Sequence, residues 1–192
     1  MLFRSDKGDY DAAETLYRRV LETDEKVLGP EHPDTATCLN NLALLLHSQG
    51  DYERAEPMHR RALEIREKVL GADHPDTAQS LNNLALLLRS QGHYNEAERL
   101  NRRALRIRAR VQGPYHPDTA TSLNNLAFVL EAKGDFERAE RLYSEAQEIW
   151  EKAVGTVHPK TATSVNNLAQ VLRAKGNYDG AEPLYHKSLE MR

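Results

Sequence analysis

A spacing of 42 residues governs this chain. His-Pro-Asp-Thr begins at His32, His74 and His116, and the variant His-Pro-Lys-Thr begins at His158. A glycine recurs at Gly8, Gly50, Gly92, Gly134 and Gly176, and Asn-Asn-Leu-Ala recurs at Asn40, Asn82, Asn124 and Asn166, with no insertion between copies. A fixed period of this length is the mark of one small unit copied and stacked, because a unit too small to bury its own apolar face buries it on the next. The spacing predicts a single array over 1–192. Its full units are 29–70, 71–112 and 113–154, with a last unit at 155–192 and a partial first unit at 1–28.

Each unit reads as two helices, so the fold class is all-α. Pro33 suits a first helical position, where a missing N–H costs nothing, and Asp34 meets the positive end of the helix dipole. Gly50 suits the positive φ past a helix end, and Asp51 is a good N-cap for a second helix over about 52–69. Asp9, Asp135 and Asn177 fill the same capping place, whereas His93 is a weaker cap. Pro57 and Pro183 fall inside second helices and are expected to loosen their first turns. At about 100° per residue, Leu39, Leu42, Ala43 and Leu46 share one face of the first helix. Ala55, His59 and Ala62 share a face of the second, with Leu63 adjacent. A one-glycine connection makes the pair an antiparallel hairpin.

Composition narrows the function. The net charge of −3 and the absence of long basic blocks argue against nucleic acid as the main partner. The apolar runs are far shorter than the roughly 18 residues of a membrane span, so no membrane role is expected. Cys38 is the only cysteine, which rules out an intrachain disulfide and a cysteine-built metal site. An intracellular, cytoplasmic location fits these features. The periodic histidines sit one per unit on helices about 8–10 Å apart, and zinc requires ligand atoms near 2 Å, so a helix-entry role is expected and no metal. No phosphate-binding glycine loop or metalloprotease motif occurs, and no base is placed beside Cys38; neither catalysis nor a cofactor is expected.

The residues resemble the tetratricopeptide repeat family. Leu123, Leu126, Ala127, Gly134-Asp135-Phe136, Ala139, Tyr143 and Ala146 follow its pattern. The 42-residue unit with His-Pro-Asp-Thr and Asn-Asn-Leu-Ala is similar to kinesin light chain repeats, as is the stretch from Arg61 to Gly71. The resemblance implies a right-handed α-solenoid whose concave groove, lined by first helices, holds an extended protein or peptide ligand. His59 and Asn101 depart from the usual aromatic and Gln147 from the usual leucine, which should loosen local packing.

One stripe on each first helix suits such a ligand. Thr37, Asn40, Leu44 and His47 are spaced 3, 4 and 3 along the first of them. The equivalents are Gln79, Asn82, Leu86 and Arg89; Thr121, Asn124, Phe128 and Glu131; and Thr163, Asn166, Gln170 and Arg173. A carboxamide donates and accepts at once, so the first asparagine of each pair can hold a peptide backbone whatever its side chains. The second, at Asn41, Asn83, Asn125 and Asn167, is expected to make a structural hydrogen bond. The end residues His47, Arg89, Glu131 and Arg173 vary against this frame, as specificity determinants or as plain surface.

Arg99, Arg102, Arg103, Arg106, Arg108 and Arg110 form a basic outer helix, either a solvated face or a site for an acidic partner. Two other readings remain beside the peptide scaffold. The chain reads as a sensor or regulatory fragment of a larger signalling protein, because Met1 to Lys7 is only the tail of a first helix and Met191-Arg192 stops within a second. Uncapped ends would also permit end-to-end self-association.

Overall fold

The computed structural model describes the backbone of residues 3–191 and the side chains of residues 9–191; Met1, Leu2 and Arg192 lie outside the described residues. Among the described residues the chain is wholly helical. The helices are α1 (Phe3–Val27), α2 (Pro33–Ser48), α3 (Tyr52–Val69), α4 (Pro75–Ser90), α5 (Tyr94–Val111), α6 (Pro117–Ala132), α7 (Phe136–Val154), α8 (Pro159–Ala174) and α9 (Tyr178–Glu190). Contacts divide the chain into two compact units, Met1–Gly92 and His93–Arg192.

In the first unit α2 packs against α1, α3 and α4. Leu42, Ala43, Leu46 and Ala55 meet Leu87 in one cluster, and Ala36, Leu39, Ala62 and Ile65 form a second. The alanines let the backbones of α2 and α3 approach closely, which is why a small residue recurs there. In the second unit α6 and α7 pack around Leu126, Ala127, Leu130, Ala139 and Tyr143, with Leu168 and Val171 of α8. Trp150 and Ile149 of α7 close on Ala120 and Leu123, and the Lys160 ammonium lies 4.5 Å above the indole ring.

The repeated tetrapeptide has a task at each letter. His32 Nδ1 accepts from the backbone N–H of Asp34 at 3.2 Å, so the histidine is itself the N-cap; His74, His116 and His158 repeat the contact at 3.1 Å. An imidazole acceptor here does the work usually done by Ser, Thr, Asp or Asn. The proline opens the helix at its first position. Thr35 Oγ1 donates back to the carbonyl of Gly29 at 2.9 Å, and Thr77, Thr119 and Thr161 do the same to Gly71, Gly113 and Gly155. Gly50 turns the hairpin at φ 81°, a conformation costly for a residue with a Cβ. Asp51, Asp135 and Asn177 cap α3, α7 and α9, and His93 makes no side-chain cap on α5.

One expectation is corrected. Gly8 does not end a helix and Asp9 does not cap one, since α1 runs unbroken from Phe3 to Val27. Glycine is tolerated inside a helix at about 1 kcal/mol. At the aromatic position His59 and Asn101 are both buried, and each makes a hydrogen bond there. Gln147 is half-buried and donates to Glu151 at 3.0 Å. Helices α3 and α9 continue through Pro57 and Pro183.

Candidate functional site

The buried arc of α2 is wide because three helices pack on it, and this decides which stripe residues reach solvent. Thr37 and Asn41 are exposed and Leu44 is half-buried. At 100° per residue these three lie within about 60° of arc. Asn40 falls outside that window and is 3% exposed. Its Oδ1 accepts from His59 Nδ1 at 2.7 Å, and its Nδ2 donates to Ser80 Oγ at 2.9 Å. Asn82 is buried to the same degree. The burial differs from that expected of the two asparagines in the first unit: Asn40 and Asn82 are interior, while Asn41 is open to solvent and Asn83 is half-buried. The expectation treated α2 as packed on one face; its contacts with α1 and α4 rotate the open window by about one residue.

A buried arginine completes this interior. Arg66 of α3 donates through Nη1 to the carbonyl of Asp76 at 2.8 Å and to Ser80 Oγ at 3.1 Å, and through Nη2 to Thr37 Oγ1 at 2.9 Å. One planar guanidinium thereby ties α2, α3 and α4 together, a geometry that a lysine cannot reproduce. Burial holds Arg66 below its ordinary value, with Asp76 acting in the opposite direction. Arg108 repeats the pattern in the second unit, donating to the Asp118 carbonyl at 2.9 Å and to Ser122 Oγ. Nothing in the local sequence distinguishes Arg66 from a surface arginine; only its 42-residue recurrence at Arg108 gives a signal.

The remaining stripe residues of α2 and α4 face solvent in varied ways. Leu86 and Gln79 are exposed, and Gln79 Nε2 donates to Asn83 Oδ1 at 2.9 Å. His47 is half-buried against Tyr52, with Nε2 2.9 Å from Ser90 Oγ. Burial, then the Arg89 charge, lowers its pKa.

In the second unit Thr121, Asn124, Phe128 and Glu131 of α6 are all half-buried. Phe128 stands edge-on to Tyr143, whose hydroxyl donates to Glu131 Oε2 at 2.9 Å. Asn167 of α8 is buried and donates through Nδ2 to Asn124 Oδ1 at 3.1 Å. The second asparagine is therefore structural in α8. Thr163 and Arg173 are exposed there, and Asn166 and Gln170 are half-buried.

The stripe residues offer hydrogen bonds and apolar contact. Cys38 is buried, its Sγ donates to the Tyr17 carbonyl at 3.5 Å, and burial raises its pKa, all of which oppose thiolate formation. Among the described residues no group of three His, Cys, Asp or Glu side chains could hold a metal ion, and no helix is long and apolar enough to cross a membrane.

The tetratricopeptide repeat profile matches residues 2–68, 40–110, 99–146 and 118–192. The chain belongs to the tetratricopeptide repeat family. Solved structures resemble it along nearly its whole length. BtubC (BKLC) from P. vanneervenii is 26% identical with a TM-score of 0.81, over 98% of this chain and 75% of that one. A kinesin light chain-type protein of Podosopora anserina with nearly identical TPR-like repeats is 25% identical with a TM-score of 0.76, over 97% and 88%. The Rap conjugation gene regulator of plasmid pLS20, in complex with the Phr* peptide, shares the fold at 20% identity and a TM-score of 0.76; this chain spans 50% of its length. No curated protein matches the chain. In this chain the His-Pro-Asp-Thr turn, the capping histidine and the Arg66 tie build the repeat.

Proposed function

We propose that this chain is a non-catalytic scaffold that holds a protein segment against the open stripes of its first helices. The observation that carries this reading is on α2 and α4, where Thr37, Asn41 and Leu44, and Gln79, Asn83 and Leu86, place carboxamides beside apolar pads at the surface. Leu86 is 38% exposed on a helix whose other leucines are buried. Carboxamides bind backbone without reading sequence, and the pads select apolar side chains. Thr121, Asn124 and Phe128, and Thr163, Asn166 and Gln170, are the corresponding groups of α6 and α8. His47, Arg89, Glu131 and Arg173 are the natural specificity determinants, since among the stripe residues they alone change charge between units. Membership of the family and the likeness of fold to a peptide-bound Rap protein support the assignment.

Peptides selected from a random display library against the full chain test it. Leu86→Ser with Asn83→Ala should weaken a selected peptide by about tenfold or more; unchanged affinity for every selected peptide contradicts the reading.

A second reading has its own observation. Leu16, Val20 and Val27 of α1 are exposed at 61%, 48% and 75%, and Leu189 of α9 at 66%. Exposed apolar residues of this kind on α1 and α9 suit a contact between copies. Light scattering that gives one monomeric mass at all concentrations excludes it.

A further inference from the structure

The second unit carries an open groove of about 810 Å³ that none of the stripe residues lines. It lies between the outer helices α5 and α7, and its floor is leucine: Leu100, Leu105, Leu126 and Leu142. Every charged residue that lines it is an arginine. Arg99, Arg103 and Arg106, spaced 4 and 3, put guanidinium groups on one face of α5, with Arg102 beside them. Arg138 and Arg141 come from α7.

Part of this charge is held internally. Arg102 pairs with Glu98 at 2.8 Å and Arg138 with Asp135 at 3.0 Å. Glu98 also takes Lys133 at 2.6 Å; although partial burial works against it, the hydrogen bonds from Lys133 and Arg102 hold its carboxyl below the usual range. Arg99 and Arg106 are exposed and make no ion pair or hydrogen bond among the described residues. Like charges held along one wall repel, and a bound anion relieves that repulsion.

The arrangement is particular to α5. One unit earlier, the positions of Arg99, Arg102, Arg103 and Arg106 are Pro57, Arg60, Arg61 and Glu64; one unit later they are Arg141, Ser144, Glu145 and Glu148. A merely solvated face carries such mixtures of sign, as α3 and α7 do. The all-arginine set occurs only where the groove is.

We propose that this groove docks an acidic amphipathic protein segment, with carboxylates on the arginine rim and leucine- or phenylalanine-type side chains on the leucine floor. Guanidinium pairs carboxylate bidentately and is weakly hydrated, so it keeps its affinity beside an apolar surface. The floor argues for a segment with apolar side chains over a bare polyanion, because phosphates would leave the leucines uncovered. The recessed position of the leucines argues against a flat lipid surface. The site is independent of the first-helix stripe.

The test is fluorescence anisotropy on the full chain. The probe is a labelled peptide of about four helical turns with leucine at every third or fourth position and glutamate elsewhere. Binding should be about tenfold or more tighter than for versions with glutamine in place of glutamate or asparagine in place of leucine, and it should weaken with salt. Arg99→Glu with Arg106→Glu should lose about tenfold or more in affinity with helicity and Tm unchanged, while Asn83→Ala should have no effect. If the double variant misfolds, Arg106→Gln alone should still give a measurable loss. The proposal is overturned if the probe does not bind, if the arginine variants bind it as the wild type does, or if the leucine-free peptide binds equally well. It is also overturned if phosphatidylserine vesicles or single-stranded oligonucleotides bind the same arginines more tightly than the probe.

Discussion

His59 donates through Nδ1 to Asn40 Oδ1 over 2.7 Å in the sealed interior between α2 and α3, and Asn40 passes the chain of hydrogen bonds on to Ser80 of α4. Burial, followed by the charge on His47, pulls the His59 imidazole from 6.5 to about 4. The unfolded chain therefore takes up a proton before the folded one does. Stability from this group is intact above about pH 6.5 and declines as pH falls toward about 4, by about 3 kcal/mol in all. Urea denaturation of wild type and His59→Gln across this range checks it. The wild type should lose stability more steeply, and parallel curves contradict the account.

Arg66 is expected to carry more stability than any exposed arginine of α3. Arg66→Ala leaves the buried Ser80 and the Asp76 carbonyl short of a donor and removes the partner of the exposed Thr37, at a cost of about 2–4 kcal/mol. Arg60→Ala removes an exposed i,i+4 pair with Glu56 and should cost below about 0.5 kcal/mol. Chemical denaturation separates the two, and a double-mutant cycle of Arg66→Ala with Ser80→Ala should show coupling of at least about 0.5 kcal/mol.

The capping histidines give a milder effect. His74→Ala removes the acceptor for the Asp76 N–H and should cost about 1 kcal/mol, whereas His74→Asp should retain most of the stability. Equal thermal shifts for the two variants would place the value of this histidine elsewhere.

Gly50→Ala and Gly134→Ala should each cost about 1–2 kcal/mol. No atom lies within 4 Å of a Cβ added at either position, so the cost is that of the positive φ alone. Gly50→Asn should cost less, since asparagine tolerates this region better. An alanine variant as stable as wild type would mean that the turn can close with another backbone geometry.

The architecture was largely legible because its signals are local. Proline at the first helical position and glycine past the last gave the limits of α2 and α3, and the 42-residue period carried them to α9. The site was legible only in outline. Whether Asn40 or Asn41 faces solvent depends on how many helices pack on α2, and the count of three comes from tertiary structure. Arg66 reads as a surface residue because its acceptors lie 10 to 29 residues away in sequence. The arginines of α5 were plain in the sequence; the leucine floor and the facing Arg138 and Arg141 needed the fold to bring α5 and α7 together.

The central claim is that the open stripe of the first helices, with Asn41 and Asn83 rather than Asn40 and Asn82 as its carboxamides, holds the ligand. Side-chain amide resonances of ¹⁵N-labelled chain, titrated with a peptide selected against the wild type, test it most directly. The account predicts shifts at Asn41 and Asn83, with Asn40 and Asn82 unmoved. Shifts at Asn40 and Asn82 alone, or none on any first helix, would contradict it.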